Sequence, residues 1–362
     1  MTKKNKTIKV PIASLLYLRE SSGYTLKDIA KKLGRSQEKL ENIESGRDFL
    51  TMTEIRRLSD IYQRPLIAFF TERISKLETI PDYRINREKK LTPEIFLAER
   101  RAQYLASKIA ELSEKQSQIP IFPEDLTATQ LVESFKKLLK IDNHEFRKYD
   151  EILPYYKKIL EEKLSILIIE YPFRADDIRA FSIFSKMSII VLNESDKSTV
   201  KLFSLFHEVC HLLKRTSAIC SIEIEQENKQ SIENYCDSFS AEFLVPRNNL
   251  EIAVKGLEKI NWSNISDISQ HYGVSKQVVM LRLLFIRKID GRIYNMFKET
   301  FYKEKMEKNE FARRKWEKVF FNRVGNLAIK EVSGAYKKGD IAFSEATGIL
   351  NVKTKYAEKL IG

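Results

Sequence analysis

The stretch LFHEVCHLLKR (residues 205–215) carries His207 and His211 four residues apart, with Glu208 directly after the first. The whole chain has only four histidines, so this spacing is improbable by chance. Residues i and i+4 share one face of a helix, so both imidazoles can reach one metal ion at about 2.0–2.1 Å. Glu208, a step of about 100° round the helix, can instead act on an attacking water molecule. The stretch predicts a metal-dependent hydrolytic centre, and the alternative is an ordinary buried helix.

A third ligand must lie elsewhere, because catalytic zinc usually takes three protein ligands. The segment SIENYCDSFSAEFLVPRNNL (residues 231–250) has a helical apolar period and places Glu233 and Asp237 four residues apart on one face. We predict that Glu233 is the third ligand and that Asp237 accepts the distal N–H of a ligating histidine. Glu242 competes for the ligand role, but it lies further along beside apolar residues that indicate the edge of a core.

The two motifs HEVCH and ENYCDSFSAEFLVP together resemble those of the ImmA/IrrE family of metallopeptidases, in which HExxH is followed by E-x-x-A-(N/D)-x-F-A-A-x-L-L-x-P. The resemblance covers residues of about 120–250, and the segment PDYR at 81–84 is also similar to a sequence often found there in the family. It implies one bound Zn²⁺ and a peptidase activity. The roles that it implies are metal ligation by His207, His211 and Glu233 and general-base catalysis by Glu208.

The cysteines mark the mild departures from this family pattern. Cys210 and Cys236 stand where Gly or Ala is usual, and Ser240 replaces an alanine. We interpret Cys210 and Cys236 as small buried residues, with oxidation that tunes the metal site as the alternative. With Cys220 they form no CxxC pair, which fits a reducing compartment and excludes a zinc finger.

The N-terminal segment predicts a helix-turn-helix. In TLKDIAKKLGRSQEKLENIESGR (residues 25–47), Thr25 and Ser36 are suited to cap two short helices, and Gly34 is suited to end the first. With the following MTEIRRLSDIYQRPLIAFF, this segment resembles the five-helix repressor domain of the Xre/Cro type over residues of about 11–72.

That resemblance implies that the second helix of the motif enters the major groove of DNA. The predicted DNA-binding residues are Arg35, Ser36, Gln37, Lys39, Asn42 and Arg47. Glu38 and Glu41 lie on or beside the same surface, where phosphates repel carboxylates unless these accept from a cytosine amine. The alternative use of the motif is therefore dimerisation or holding a partner protein.

The rest of the chain predicts an α+β, mostly helical protein. We expect a helix-turn-helix domain at 1–75, a helical linker at 76–120, a zincin-like peptidase domain with a small sheet at 121–250 and a helical region at 251–362. In the linker, Thr92 is expected to cap a solvated connecting helix of mixed charge.

Two β-rich runs, LSILIIEY (164–171) and SIIVLN (188–193), predict strands in the peptidase domain. AFSIFSK (180–186) is the expected hairpin partner of the second run. We predict that SIIVLN is the edge strand with which an extended substrate pairs.

The C-terminal region contains a second unit with helix-turn-helix spacing, NISDISQHYGVSKQVVMLRLLFI (264–286). We expect it to serve packing rather than DNA binding, and His271 within it to be a cap or surface group.

The net charge of +13 is unevenly distributed. Residues 1–75 carry 15 Lys/Arg against 9 Asp/Glu, 76–246 carry 25 against 28, and 247–362 carry 23 against 13. Basic ends around a near-neutral middle favour nucleic-acid contacts at the ends, although a lysine-rich surface that aids solubility is the alternative. There is no apolar run long enough to cross a membrane or act as a signal, so we expect a cytoplasmic protein without a membrane partner.

These features together predict a zinc-dependent endopeptidase fused to a DNA-binding domain. The resemblance implies that it cleaves a partner repressor of the Xre type in response to stress, DNA damage or a mobile-element signal. One alternative is a non-catalytic regulator that uses the peptidase fold as a sensor or docking module. Another is a toxin or defence component of a two-gene system. A homodimer is left open.

Overall fold

The computed structural model describes residues 7–71, 92–141, 149–172, 178–216, 226–307 and 316–361. These residues form seventeen α-helices and two small sheets, which confirms the predicted mostly helical α+β class. None of the helices described is long and apolar enough to cross a membrane. The described residues fall into two compact units, of which the first ends at Arg101 and the second begins at Ala102.

The first unit is built on short, capped helices around an apolar core. The Thr25 hydroxyl accepts from the Asp28 N–H, and the Ser36 hydroxyl accepts from the Lys39 N–H, so both predicted caps are present. The core includes Ile29, Leu40 and Ile55, which the helical spacing brings together. Its elements are β1 (Thr7–Ile8), α1 (Ile12–Glu20), α2 (Leu26–Leu33), α3 (Gln37–Glu44), β2 (Leu50–Thr51), α4 (Met52–Tyr62), a 3₁₀ turn (Leu66–Phe70) and the first part of α5 (Pro93–Leu112).

Helix α5 is not the solvated connector that its mixed charge predicted. Residues three or four apart on one face are buried along its length, namely Ile95, Ala98, Ala102, Leu105 and Ile109. Apart from Glu99, which is buried, the charged residues of α5 are partly or fully exposed, so the average composition concealed an amphipathic helix.

The start of α5 belongs to the first unit. The Arg100 guanidinium donates to the main-chain carbonyls of Ser21 and Tyr62, each at 2.6 Å. The predicted side-chain cap at Thr92 is wrong: its hydroxyl is buried with no hydrogen-bond partner among the described residues. Its carbonyl instead accepts from the Ile95 N–H at 3.0 Å.

The second unit has one small sheet surrounded by helices. Its strands are β3 (Leu167–Tyr171), β4 (Ala180–Ile183) and β5 (Ile189–Asn193). Its further helices are α6 (Ala128–Leu139), α7 (Ile152–Leu164), α8 (Ser198–Leu213), α9 (Gln226–Leu244), α10 (Arg247–Ala253), α11 (Trp262–Tyr272), α12 (Lys276–Phe285), α13 (Gly291–Glu307), α14 (Trp316–Val324), α15 (Asn326–Lys338), α16 (Phe343–Leu350) and α17 (Thr354–Ile361).

The strand order is β3-β5-β4, with β3 parallel and β4 antiparallel to β5. The expected antiparallel pairing of β4 with β5 is confirmed. The prediction that SIIVLN (188–193) is an edge strand is wrong, because β5 lies in the middle and pairs on both sides. Its five residues are all buried, and the unbroken apolar run Ile189–Leu192 suits a strand covered on both faces.

Buried ion pairs join the sheet to the helices that flank it. Glu170 on β3 lies 3.4 Å from the Lys157 ammonium on α7 and 2.5 Å from the Lys201 ammonium on α8. All three side chains are almost fully buried, so none of these charges is left to water. Losing one partner would leave an uncompensated buried charge, and the three elements are therefore held in a defined arrangement.

Gly325, between α14 and α15, packs directly against β3. Its backbone has φ +85°, and a Cβ atom there would lie 2.9 Å from the carbonyl oxygen of Ile168. Gly339, at the end of α15, has φ +82° with no atom within 4 Å of such a Cβ. The two glycines therefore share a backbone conformation and differ in the space around it.

We expect Gly325→Ala to lower the melting temperature more than Gly339→Ala. The left-handed backbone costs an L-residue about 1–2 kcal/mol at either position. At Gly325 the methyl group also meets a strand carbonyl, which we expect to add at least about 1 kcal/mol. Thermal unfolding of the two variants measures the difference, and equal losses would contradict the close approach to β3.

Candidate metal centre

Helix α8 presents the two histidines of the HEVCH motif on one face. The Nε2 atoms of His207 and His211 are 3.1 Å apart, and their ring centroids are separated by 4.8 Å. His211 is buried and His207 is partly buried. The pair is thus oriented with one ring nitrogen of each residue facing a common point.

Helix α9 brings a carboxylate to that point. Glu233 Oε2 lies 3.1 Å from His207 Nε2, and Glu233 Oε1 lies 3.5 Å from His211 Nε2. One ligand atom from each of the three residues lies within 4.8 Å of the other two. Bonds of 2.0–2.1 Å to a tetrahedral zinc ion require donor atoms about 3.3–3.4 Å apart. The donor set therefore fits one zinc ion and leaves a coordination position without a protein ligand.

The remaining ring nitrogens have oxygen partners that orient the two imidazoles. Asp237 Oδ1 lies 2.9 Å from His207 Nδ1, in the position predicted for it. Thr216 Oγ1 lies 3.1 Å from His211 Nδ1. In each case an Nδ1–H that donates to oxygen leaves the lone pair of Nε2 directed at the shared point.

Thr216 is a site residue that sequence reasoning missed. It follows the end of α8, where Arg215 has φ +56° and the Thr216 N–H bonds back to the His211 carbonyl at 2.9 Å. This turn brings the hydroxyl to the imidazole. The only signal in the sequence is a threonine five residues after the second histidine, which is too common to recognise.

The electrostatics of the cluster favour a retained positive charge when no metal is bound. Burial alone would lower the pKa of His207, but hydrogen bonds to Asp237 and then Glu233 outweigh it and raise that pKa. Burial opposes the rise at His211 too, where the Cys236 and Glu233 side chains raise the pKa. Hydrogen bonds to His207 and His211 hold the pKa of Glu233 far below its usual range. A metal ion must therefore displace a proton from the cluster.

Glu208 is placed for a role beside the ligands. Its side chain is buried, and its negative charge raises the pKa of both His207 and His211, so it lies within electrostatic reach of the two rings. It is not part of the group of three donors. This arrangement suits a base next to the metal position.

Glu242, the competitor for the ligand role, is engaged elsewhere. Its Oε2 lies 2.5 Å from the Arg282 guanidinium on α12, and both side chains are buried. Its Oε1 accepts from the Arg247 N–H at the start of α10, at 3.1 Å. The carboxylate therefore ties α9 to two other helices, and the geometry favours Glu233 at the metal position.

The cysteines lie in the packed interface between α8 and α9. Cys210 and Cys236 are fully buried and free, which agrees with their interpretation as small core residues. Cys220 lies outside the described residues, as does the segment 81–84. His271 is exposed near the end of α11, as expected of a surface group.

The predicted DNA-binding residues lie in or beside α3, and several have partners within the first unit. Ser36 caps α3, Arg35 Nε donates to the buried Glu54 at 2.8 Å, and the Lys39 ammonium lies 3.6 Å from Asp48. The Gln37 amide donates to Glu41 at 2.9 Å. Arg35 and Lys39 are therefore already neutralised in part.

The remaining two of the six predicted residues are both at least partly exposed. Arg47 is exposed and its Nε donates to the Ser45 hydroxyl, while Asn42 is partly exposed on α3.

We expect zinc affinity to fall in a graded series of variants. Glu233→Gln removes a charged ligand and should weaken binding by more than about 100-fold, whereas Thr216→Val removes only an orienting partner and should cost roughly tenfold. Glu258→Gln, an exposed glutamate on the loop after α10, is the matched control and should bind like wild type. Competition with a chromophoric chelator measures the three affinities.

The same titration at pH 6, 7 and 8 should show wild-type affinity rising with pH, because zinc competes with protons for the histidines. Equal affinity of Glu233→Gln and wild type would exclude Glu233 as a ligand.

Comparison with known protein families gives two matches along the chain. Residues 161–284 match the peptidase M78 model, described as an IrrE N-terminal-like domain, and residues 15–67 match a helix-turn-helix domain. The first match contains α8, α9, α11 and all but the last residue of α12. No curated protein matches the chain. The predicted architecture is confirmed: the chain combines a helix-turn-helix domain with a metallopeptidase-like domain similar to the N-terminal domain of IrrE.

Proposed function

We propose that the chain is a zinc-dependent endopeptidase that cleaves a partner transcriptional repressor, and that its helix-turn-helix domain binds DNA. The observation that carries the proposal is the convergence of His207, His211 and Glu233 within 4.8 Å, with Glu208 beside them. The orienting partners of both imidazoles support it further, because a structural helix has no need of them.

The residues around this point suit hydrolysis of a peptide bond. A bound zinc ion would polarise the scissile carbonyl and lower the pKa of a water molecule towards about 7. Glu208 accepts a proton from the attacking water and can return it to the leaving amine. Asp237 and Thr216 hold the imidazoles in one tautomer and one orientation throughout.

An extended substrate requires a strand edge near the metal position. The structure leaves β4 paired on one side only among the described strands, and β4 packs against α8. We place the substrate along β4, in antiparallel or parallel pairing, instead of along β5.

A repressor of the Xre type is the substrate that we propose. The support is the combination of a peptidase-like domain with a helix-turn-helix domain in one chain, which brings hydrolysis to the same DNA regions as a repressor. Cleavage would relieve repression, and a stress or mobile-element signal would set its timing.

We expect Glu208→Gln to abolish cleavage while zinc binding is retained. The amide cannot accept the proton, and loss of a general base typically costs 10²–10⁴-fold in rate. The assay is incubation of the purified full chain with the repressor encoded beside its gene, with zinc or with chelator, followed by mass spectrometry of the fragments. Zinc content and melting temperature show that the variant is folded.

If relief of repression persists in Glu208→Gln, hydrolysis is not its mechanism. The peptidase domain would then act as a sensor or docking module.

We expect DNA binding through α3 and the turn that follows it. Arg47→Ala should weaken binding to all sequences and lower its salt dependence, because a phosphate contact is lost, whereas Asn42→Ala should weaken binding to the specific site only. Arg56→Ala, an exposed arginine on α4, is the charge-matched control. Fluorescence anisotropy with DNA from upstream of the gene, at several salt concentrations, measures both effects.

If the wild-type chain binds no DNA even at low salt, the domain serves dimerisation or holds a partner protein.

A further inference from the structure

Helix α12 carries an exposed apolar stripe. Leu281 and Phe285 lie four residues apart and are exposed, Leu281 at 47% and Phe285 at 67%, and the polar Gln277 is exposed one turn before them. A second helix that reads DNA presents polar and basic side chains on this face. The one arginine of α12, Arg282, is buried in its ion pair with Glu242. The helix is therefore built to contact an apolar partner rather than phosphates.

The stripe lines a cavity of about 1020 Å³ within the second unit. We call it the α12 cavity. Helix α8 contributes Val200 and Phe203 to its wall, and α9 contributes Asp237 and Ala241. Ligand pockets have volumes of about 300–1,000 Å³, so this cavity can hold several residues of an extended chain.

The α12 cavity adjoins the metal ligands through Asp237, which lines the cavity and lies 2.9 Å from His207. Phe203 lies four residues before His207 on α8, and Ala241 lies four residues after Asp237 on α9, so each shares a face with a site residue. His211 lies beside Glu233, and His207, one turn earlier on α8, lies beside Asp237, one turn later on α9. The two helices therefore run antiparallel. The turn of α8 that precedes His207 and the turn of α9 that follows Asp237 therefore both line the cavity. Asp237 belongs to the cavity wall and to the metal centre.

The charged groups of the cavity wall are mostly in pairs. Arg179 lies 2.7 Å from Asp196, Asp237 bonds to His207, and the Glu242–Arg282 pair has been described. The Lys276 ammonium lies over the Trp262 ring, 4.4 Å from its centroid. Because most of these charges are paired, the cavity has little electrostatic attraction for a highly charged ligand. Its exposed apolar surface therefore determines which ligand binds.

We infer that the α12 cavity binds a large apolar side chain of the protein substrate beside the scissile bond and so selects the bond to be cut. The inference rests on the proposed peptidase function and adds its specificity. Phe203 on α8, with Leu281 and Phe285 on α12, forms the walls that contact a Leu, Ile, Met or Phe side chain. Burial of such a side chain removes apolar surface of both partners from water.

The test uses the zinc-loaded full chain and a library of synthetic random decapeptides, with cleavage positions read by mass spectrometry. The variants are Phe285→Ser and Leu281→Ser, each of which removes one apolar side chain from the α12 wall and leaves the metal ligands intact. Ile252→Ser is the matched control, because Ile252 is 71% exposed on α10 and does not line the cavity. Glu208→Gln gives the background, and zinc content confirms that each variant is folded.

The expected result is that wild type cuts with Leu, Ile, Met or Phe enriched at one fixed position from the bond. Both wall variants should cut those peptides at least roughly tenfold more slowly, and Ile252→Ser should match wild type. A wild-type profile without apolar preference, or a preference that survives in both wall variants, overturns the assignment of the cavity alone. If the decapeptides are cut no faster than by Glu208→Gln while the repressor encoded beside the gene is still cleaved, the inference fails and the peptidase function stands. If neither the peptides nor that repressor are cut faster than by Glu208→Gln, the peptidase function is overturned, and the inference with it.

Discussion

The candidate metal centre depends on how closely α8 packs against α9. Phe206 and Phe243 stack with ring centroids 3.8 Å apart, and the small residues Cys210, Cys236 and Ser240 are fully buried. Ligand distances to a metal tolerate deviations of only about 0.2 Å. A larger residue at one of the small positions would separate the helices and move Glu233 away from the histidines. The departures from the family pattern at these positions keep the side chains small, which is the property that the geometry requires.

Buried ion pairs fix the helices that surround this centre. The pair of Glu242 and Arg282 joins α9 to α12, and Glu170 with its two lysines joins β3 to α7 and α8. Such pairs add little net stability, because desolvation offsets the attraction. They do define orientation, since a shifted helix would leave a buried charge without a partner. Arg282 therefore holds the α12 wall of the cavity in place. Because its guanidinium is buried in this pair, it does not face outward toward phosphates.

Local features of the fold follow from the sequence, and features that depend on distant contacts do not. Caps at Thr25 and Ser36 and the helix of the HEVCH motif need only neighbours within four residues, and the Glu233–Asp237 spacing marks one helix face. The position of β5 in the sheet depends on which strand lies on its far side, and the period of a buried strand does not reveal this. The role of Thr216 depends on a turn with positive φ at Arg215, a conformation that arginine rarely adopts. The burial of one face of α5 could not be predicted, because the mixed charge of the whole helix suggested that it is exposed to solvent.

The two helix-turn-helix units show how one backbone pattern serves two purposes. In both, a side chain caps each helix, and a glycine with positive φ, Gly34 or Gly273, ends the first. A Cβ on Gly273 would lie 2.3 Å from the Ile152 side chain on α7, whereas one on Gly34 would meet nothing within 4 Å. The second turn is therefore packed inside its unit, and the first is open. Because α3 exposes polar side chains, whereas α12 exposes the apolar side chains of Leu281 and Phe285, the surface rather than the turn geometry decides what each unit contacts.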